Sequence, residues 1–138
     1  MVLVVDASVA MGWIIQSQTT PLTEDALQTV ASDSGLVPAH FGIEIARALR
    51  NRERRNLLTP EISDAVLAQL QGLPLRQDKS DALDVVRDVV TLARRHALQV
   101  ADAAYLELAL RTGLSLATQD DAVARAAIAA GVKLFGAA

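Results

Sequence analysis

The chain has 138 residues, 51% of them apolar but only 3% aromatic, with a formal net charge of −3 and no cysteine. That length suits one compact domain spanning residues 1–138, and the apolar content excludes a disordered chain. The missing cysteines exclude disulfides, thiolate metal sites and thiol nucleophiles, and the acidic balance argues against broad electrostatic binding to nucleic acid. A reducing cytoplasm suits this composition. No apolar run approaches the ~18 residues of a membrane span, so no membrane association is expected. No basic region precedes the first apolar stretch, so no signal peptide is expected.

Val2-Leu3-Val4-Val5 reads as a strand buried on both faces, as in the middle of a parallel sheet. It ends at Asp6, where a carboxylate is costly to desolvate without compensation. Asp6 reads equally as a helix cap or as a ligand. Ala7 to about Gln16 follows as a short helix, with Val9 and Trp13 facing the core. Gln18-Thr19-Thr20-Pro21 breaks the pattern, and a second helix runs from about Leu22 to Ser32. There Leu27, Val30 and Ala31 face inward, with Thr23 as candidate cap. Leu36-Val37-Pro38 is a short strand. His40 to about Arg55 is a helix with Phe41, Ile45, Ala48 and Leu49 inside. Its second half carries Arg47, Arg50, Arg52, Arg54 and Arg55, read as a solvated face or an RNA-contacting one.

Thr59-Pro60 starts a helix that stops at Gly72. Leu73–Arg76 suggests a short strand, and Ser80 to about His96 a long helix with Leu83, Val86, Val90 and Ala93 inside. After a brief connection, Asp102 opens a helix that ends at Gly113, which suits a left-handed cap. Leu114–Thr118 is the next strand. Asp121 to Ala130 is the last helix, which Asp121 is expected to cap, and Val132–Phe135 a final short strand. Alternating strands and helices predict a three-layer α/β/α sandwich with a mainly parallel sheet of four to five strands.

Ligands sit beyond the carboxyl ends of such strands. Asp6, Glu44 and Asp120 fall at strand ends or on the first turns of the helices that follow, so they should converge. Asp102 must start its helix on the same edge, although few residues separate it from the preceding helix. Oxygen-only ligands suit Mg²⁺ or Mn²⁺ rather than Zn²⁺. Ser8 and Thr118 flank two of the acids, either as supports for a carboxylate or as ordinary cap and strand-end residues. His40, four residues before Glu44, suits a surface or capping role, and Asp120 is preferred to Asp121 by its spacing from Thr118.

Val4-Val5-Asp6-Ala7-Ser8, Pro38 with Glu44, Asp102-Ala103-Ala104-Tyr105-Leu106, Leu116-Ala117-Thr118-Gln119-Asp120 and Ala126-Ala127 to Gly131-Val132 resemble, in order and spacing, the PIN-domain family, and within it the VapC-type toxins. The resemblance implies the toxin of a type II toxin–antitoxin system. Its activity would be Mg²⁺- or Mn²⁺-dependent endoribonuclease cleavage, in which a metal-activated water attacks the RNA phosphodiester and leaves a 5′-phosphate and a 3′-hydroxyl. It assigns Asp6, Glu44, Asp102 and Asp120 as catalytic metal ligands, with Ser8 and Thr118 in support. It also implies a homodimer restrained by a VapB-like antitoxin that covers the acidic cleft.

Two positions depart from the family pattern: Ala101 replaces an aromatic, and Arg47 replaces an asparagine. Arg47 and Arg50 are candidate contacts for RNA or antitoxin, and Arg47 would alternatively pair with an acid and block the cleft. Two other classes compete. One is a non-catalytic PIN-like module whose acids bind a basic partner segment. The other is an aspartyl phosphatase or receiver domain; the first would want an acid at Ser8, and the second a lysine after a late strand, whereas Lys133 begins one.

Overall fold

The computed structural model describes residues 1–80 and 82–136, residue 82 through its backbone alone. Asp81, inside the predicted Ser80–His96 helix, lies outside the described residues, as do the last two of the chain.

Leu3–Val5 forms β1, and all three side chains are fully buried. A strand with no polar face must be covered on both sides, which places it inside a sheet. β1 indeed lies between β2 (Gly35–Val37) and β4 (Ser115–Ala117), with β3 (Leu75–Gln77) at one edge, in the order β3-β2-β1-β4. Every pairing is parallel, with Leu3 opposite both Gly35 and Ser115. Parallel neighbours need crossover connections, and helices supply them here. The predicted fifth strand, Val132–Phe135, is reduced to one isolated parallel bridge between Leu116 and Leu134 among the described residues.

α1 (Ala7–Ile14) leaves β1 directly and is followed by a 3₁₀ turn at Gln16–Gln18. α2 (Pro21–Asp33) starts one residue earlier than predicted. Its cap is Thr20 rather than Thr23. Thr20 Oγ1 accepts the Thr23 amide at 3.2 Å, and Thr23 Oγ1 accepts the Thr20 amide at 2.9 Å, a reciprocal capping box. Proline at the first helical position fixes that start. α2 buries Thr23, Ala26 and Val30, while Ala31 is exposed against expectation. Gly12 lets α1 and α2 approach closely: a Cβ on it would lie 2.4 Å from Thr23 Cγ2.

α3 (Phe41–Arg54) buries Phe41, Ile45 and Leu49, as its spacing predicts. α4 (Pro60–Gln71) is capped by Thr59, which accepts the Ile62 amide at 3.2 Å. α5 (Ala82–His96) packs against α6 (Val100–Thr112) as a hairpin. Ala97 in the left-handed region (φ 53°) makes the turn between them so short. α5 buries Val89 and Leu92; Leu83 and Val86 are 82% and 48% exposed, so its inward stripe is rotated from the predicted one. α6 starts two residues before Asp102 and ends at Gly113 (φ 70°), and α7 (Asp121–Ala130) ends at Gly131 (φ 84°). These left-handed positions are the ones glycine occupies at least cost. Among the described residues no helix is long and apolar enough to cross a membrane.

Candidate functional site

The carboxyl ends of β1 and β4 are neighbours, and Asp6 and Thr118 follow them directly. The Asp6 amide donates to the Ala117 carbonyl at 3.0 Å, extending the ladder by one bond. Asp6 occupies the cap position of α1, yet its side chain makes no capping bond. Instead Oδ2 accepts from Thr118 Oγ1 at 2.6 Å and from Ser8 Oγ at 3.1 Å. Each hydroxyl accepts a main-chain amide in turn, Thr118 from Asp120 at 3.0 Å and Ser8 from Gln119 at 2.9 Å. Two relays thus lead from the β4–α7 loop to one carboxylate oxygen. Asp6 is 4% exposed, and burial raises its pKa, with the two hydroxyls opposing that rise.

Glu44 lies in the first turn of α3. Its Oε1 accepts from the Tyr105 hydroxyl at 2.6 Å and lies 3.2 Å from His40 Nε2. Partial burial opposes ionisation, but His40 and Tyr105 outweigh it and the Glu44 pKa is lowered. His40 is raised, chiefly by its bond to Glu44. A surface or capping role for His40 is therefore not what the structure contains: it sits at the cap position without a side-chain cap bond and turns to Glu44.

Asp102 lies on the first turn of α6, where the helix N-terminus favours a carboxylate. Its pKa is nevertheless pushed up to about 6, first by desolvation and then by the negative charges of Asp6, Asp120 and Glu44. α5 begins beside the C-terminal end of α6, to which Ser80 is tied through Arg111, and returns toward the strand-end edge. α6 then descends from that edge with Asp102 at its top.

Asp120 caps α7, its Oδ1 accepting the amides of Ala122 at 2.9 Å and Val123 at 3.1 Å. The expectation that Asp121 caps this helix is corrected; Asp121 is its first residue and exposed. The cause is the Thr118–Asp120 amide bond, which turns the chain one residue earlier.

Glu44 and Asp102 line a cavity of about 550 Å³, walled by Ile43 and Arg47 of α3 and Val86 and Val90 of α5. Arg47 is exposed and makes no salt bridge to any of the acids among the described residues. Arg50 is exposed too and pairs with Glu53 at 3.3 Å. Among the described residues, no three acid or histidine side chains already form a metal cage. Oxygen-rich donors with mutual repulsion and no lysine or arginine bonded to them are nonetheless suited to a hard divalent cation.

The profile of the PIN domain family matches residues 3–129. The chain belongs to the PIN-domain family. Within it the chain is similar to VapC-type proteins. It is 32% identical over 123 residues to "Ribonuclease VapC3" of Mycobacterium tuberculosis (strain CDC 1551 / Oshkosh), covering 89% of this chain and 85% of that protein. It is 30% identical over 120 residues to "Ribonuclease VapC3" of Pyrobaculum aerophilum, covering 87% and 90%. The crystal structure of PAE2754 from Pyrobaculum aerophilum shares the fold at a TM-score of 0.65 and 20% identity, covering 91% of this chain and 87% of that one. The crystal structure of FitAcB from Neisseria gonorrhoeae does so at 0.63 and 17%, covering 99% and 97%.

Three polar features of this PIN domain escape sequence reasoning. Tyr105 is fully buried with its hydroxyl on Glu44; its signal was a lone tyrosine one helical turn after Asp102. Gln119 spans the loop, its amide nitrogen donating to Ser8 O at 3.3 Å and Gln18 O at 3.2 Å. Arg111 gathers Glu107, Asp78 and Ser80 on the wall of the same cavity. No spacing rule announces the last two.

Proposed function

We propose that this PIN domain is the toxin of a toxin–antitoxin pair and an endoribonuclease that depends on Mg²⁺ or Mn²⁺. The observation carrying this reading is the Asp102 environment: three further carboxylates act on it and none of the four is salt-bridged to lysine or arginine among the described residues. The names of the VapC relatives support the ribonuclease assignment.

Asp6, Glu44, Asp102 and Asp120 would hold the cation. When bound, Mg²⁺ or Mn²⁺ supplies positive charge for phosphoryl oxygens and lowers the pKa of water. The chain's own residues do the rest. Thr118 and Ser8 hold Asp6 through one oxygen and oppose the rise that burial imposes on its pKa. Water attacks phosphorus, one water proton passes to the medium, and the 3′-oxygen leaves with a proton, giving 5′-phosphate and 3′-hydroxyl ends. Arg47 stands at the cavity wall where a phosphate of the RNA, or the antitoxin, would pass, and Arg50 lies one turn further along α3. The whole chain acts as one domain in the cytoplasm, as a homodimer whose cleft a VapB-like antitoxin covers.

RNA incubated with purified protein and Mn²⁺ should yield 5′-phosphate ends. Cleavage should stop with excess chelator and in Asp6→Asn and Asp102→Asn. Cleavage that persists in chelator or in both variants overturns the reading. The competing alternative is a non-catalytic module whose acids take a basic partner segment. That alternative predicts tight partner binding and no metal-dependent turnover.

A further inference from the structure

His40 Nε2 lies 3.0 Å from the Ala101 carbonyl oxygen and 3.2 Å from Glu44 Oε1. Both partners are acceptors, so this nitrogen carries the proton and one N–H serves two oxygens. Ala101 immediately precedes Asp102, and Glu44 stands one turn into α3. The imidazole therefore spans the N-termini of the two helices that carry the second and third acids. Beneath it, Tyr105 meets the ring edge-on at a centroid distance of 5.1 Å and an interplanar angle of 65°. The Tyr105 hydroxyl donates to the same Glu44 oxygen at 2.6 Å. Both donors converge on Oε1, and Oε2 accepts no hydrogen bond among the described residues.

We propose that His40 and Tyr105 are positioning residues: they hold Glu44 through one oxygen, leave the other free as a cation donor, and tie α3 to α6 so that Glu44 and Asp102 face one ion. This rests on the proposed metal-dependent function and adds a part to it. A carboxylate on a three-torsion side chain at a partly exposed position samples many rotamers unless it is held. Two donors on one oxygen remove that freedom before the ion arrives. The Ala101 contact extends the hold from one side chain to the spacing between two helices. Loss of comparable supporting bonds in metal sites costs about 10- to 100-fold in affinity.

The test is a Mn²⁺ titration of the full chain followed by electron paramagnetic resonance of the free ion, at one fixed pH. Wild type, His40→Ala, His40→Gln and Tyr105→Phe are compared, with thermal melting of each in chelator. His40→Ala and Tyr105→Phe should bind Mn²⁺ about tenfold more weakly or worse. Tyr105→Phe keeps the buried ring and should melt close to wild type. His40→Gln retains an N–H donor and should recover most of the affinity. In RNA cleavage kcat should fall with KM little changed. Wild-type Mn²⁺ affinity in both His40→Ala and Tyr105→Phe overturns the positioning role and leaves the metal reading intact. So does weakening that merely tracks lost thermal stability without rescue by glutamine. A wild-type chain that takes up no Mn²⁺ overturns the metal-dependent reading and this one with it.

Discussion

Helix α6 carries a carboxylate cluster toward each end, and the two are opposites. At its C-terminal end Glu107 is buried, and Asp78 reaches it from the end of β3. There Arg111 bonds Glu107 Oε1 at 2.6 Å, Asp78 Oδ2 at 2.6 Å and Ser80 Oγ at 2.8 Å. The guanidinium holds the Asp78 carboxyl below its ordinary range. At the N-terminal end Asp102 faces Asp6, Asp120 and Glu44 and is pushed up to about 6. Carboxylates beside the two ends of one helix meet opposite surroundings: Asp78 is lowered by a guanidinium, and Asp102 is raised by burial and by its acidic neighbours. A cluster pinned by a guanidinium serves the fold. A cluster whose one basic neighbour is the His40 imidazole has room for a cation from solution.

Substitution at the two ends should separate these roles most sharply in catalysis. Asp102→Asn should lower RNA cleavage by roughly 10²-fold or more. Arg111→Met, measured well below its melting temperature, should stay within a few-fold of wild type. Equal losses in both variants would erase the distinction.

Metal addition gives the next largest effect. Mn²⁺ at a hundred times its Kd should stabilise wild type by about 2.7 kcal/mol. Chelator should reverse this, and Asp102→Asn should blunt it, as read by thermal melting. A Mn²⁺ effect undiminished in that variant would move the ion elsewhere.

Stability without metal should then change with opposite signs. Arg111→Met strands the buried Glu107 and should cost ~1–3 kcal/mol in urea unfolding. Asp102→Asn removes repulsion and should leave metal-free stability unchanged or higher. A destabilising Asp102→Asn would mean that Asp102 already has a compensating partner.

The smallest effect is in pH. The folded pKa of Asp102 lies above its unfolded value near 3.8, so the folded state binds more protons between about 4 and 6. Its contribution to stability is full below that window and is lost as pH rises through it. His40 acts in the same sense but higher, from its ordinary 6.5 upward, because its folded pKa is also raised. In chelator, the wild-type loss of stability between pH 4 and 6 should exceed that of Asp102→Asn. Parallel curves would refute the repulsion assigned to Asp102.

What was legible from sequence follows from how local each signal is. β1 declares itself because four apolar residues end at an acid, and that run needs cover on both faces. Asp6, Glu44 and Asp120 were readable as strand-end or first-turn residues, since parallel topology places such positions on one edge; Asp102 was less so, because its helix precedes a strand and follows a short connection. α5 was misread because Val85, Val86, Val89 and Val90 offer two overlapping stripes. The choice between them is made by packing on α6, an element later in the chain that no local pattern of α5 encodes. Thr20 and Thr23 are both good caps, and only Pro21 distinguishes them. The His40–Ala101 and Tyr105–Glu44 bonds each join residues 61 apart, a pairing no local pattern encodes.

The pairing of β1 with β4 also sets when this cleft comes into being. The first strand and Asp6 wait for a strand and a hydroxyl more than a hundred residues later, with Leu3 beside Ser115 and Asp6 under Thr118. Such long-range parallel closure is slow, and during synthesis it cannot precede the emergence of the last helix-bearing third of the chain. A partly made chain therefore carries the acids without the arrangement. On this account, the acids cannot meet in their final arrangement until residues 115–118 have been made and paired.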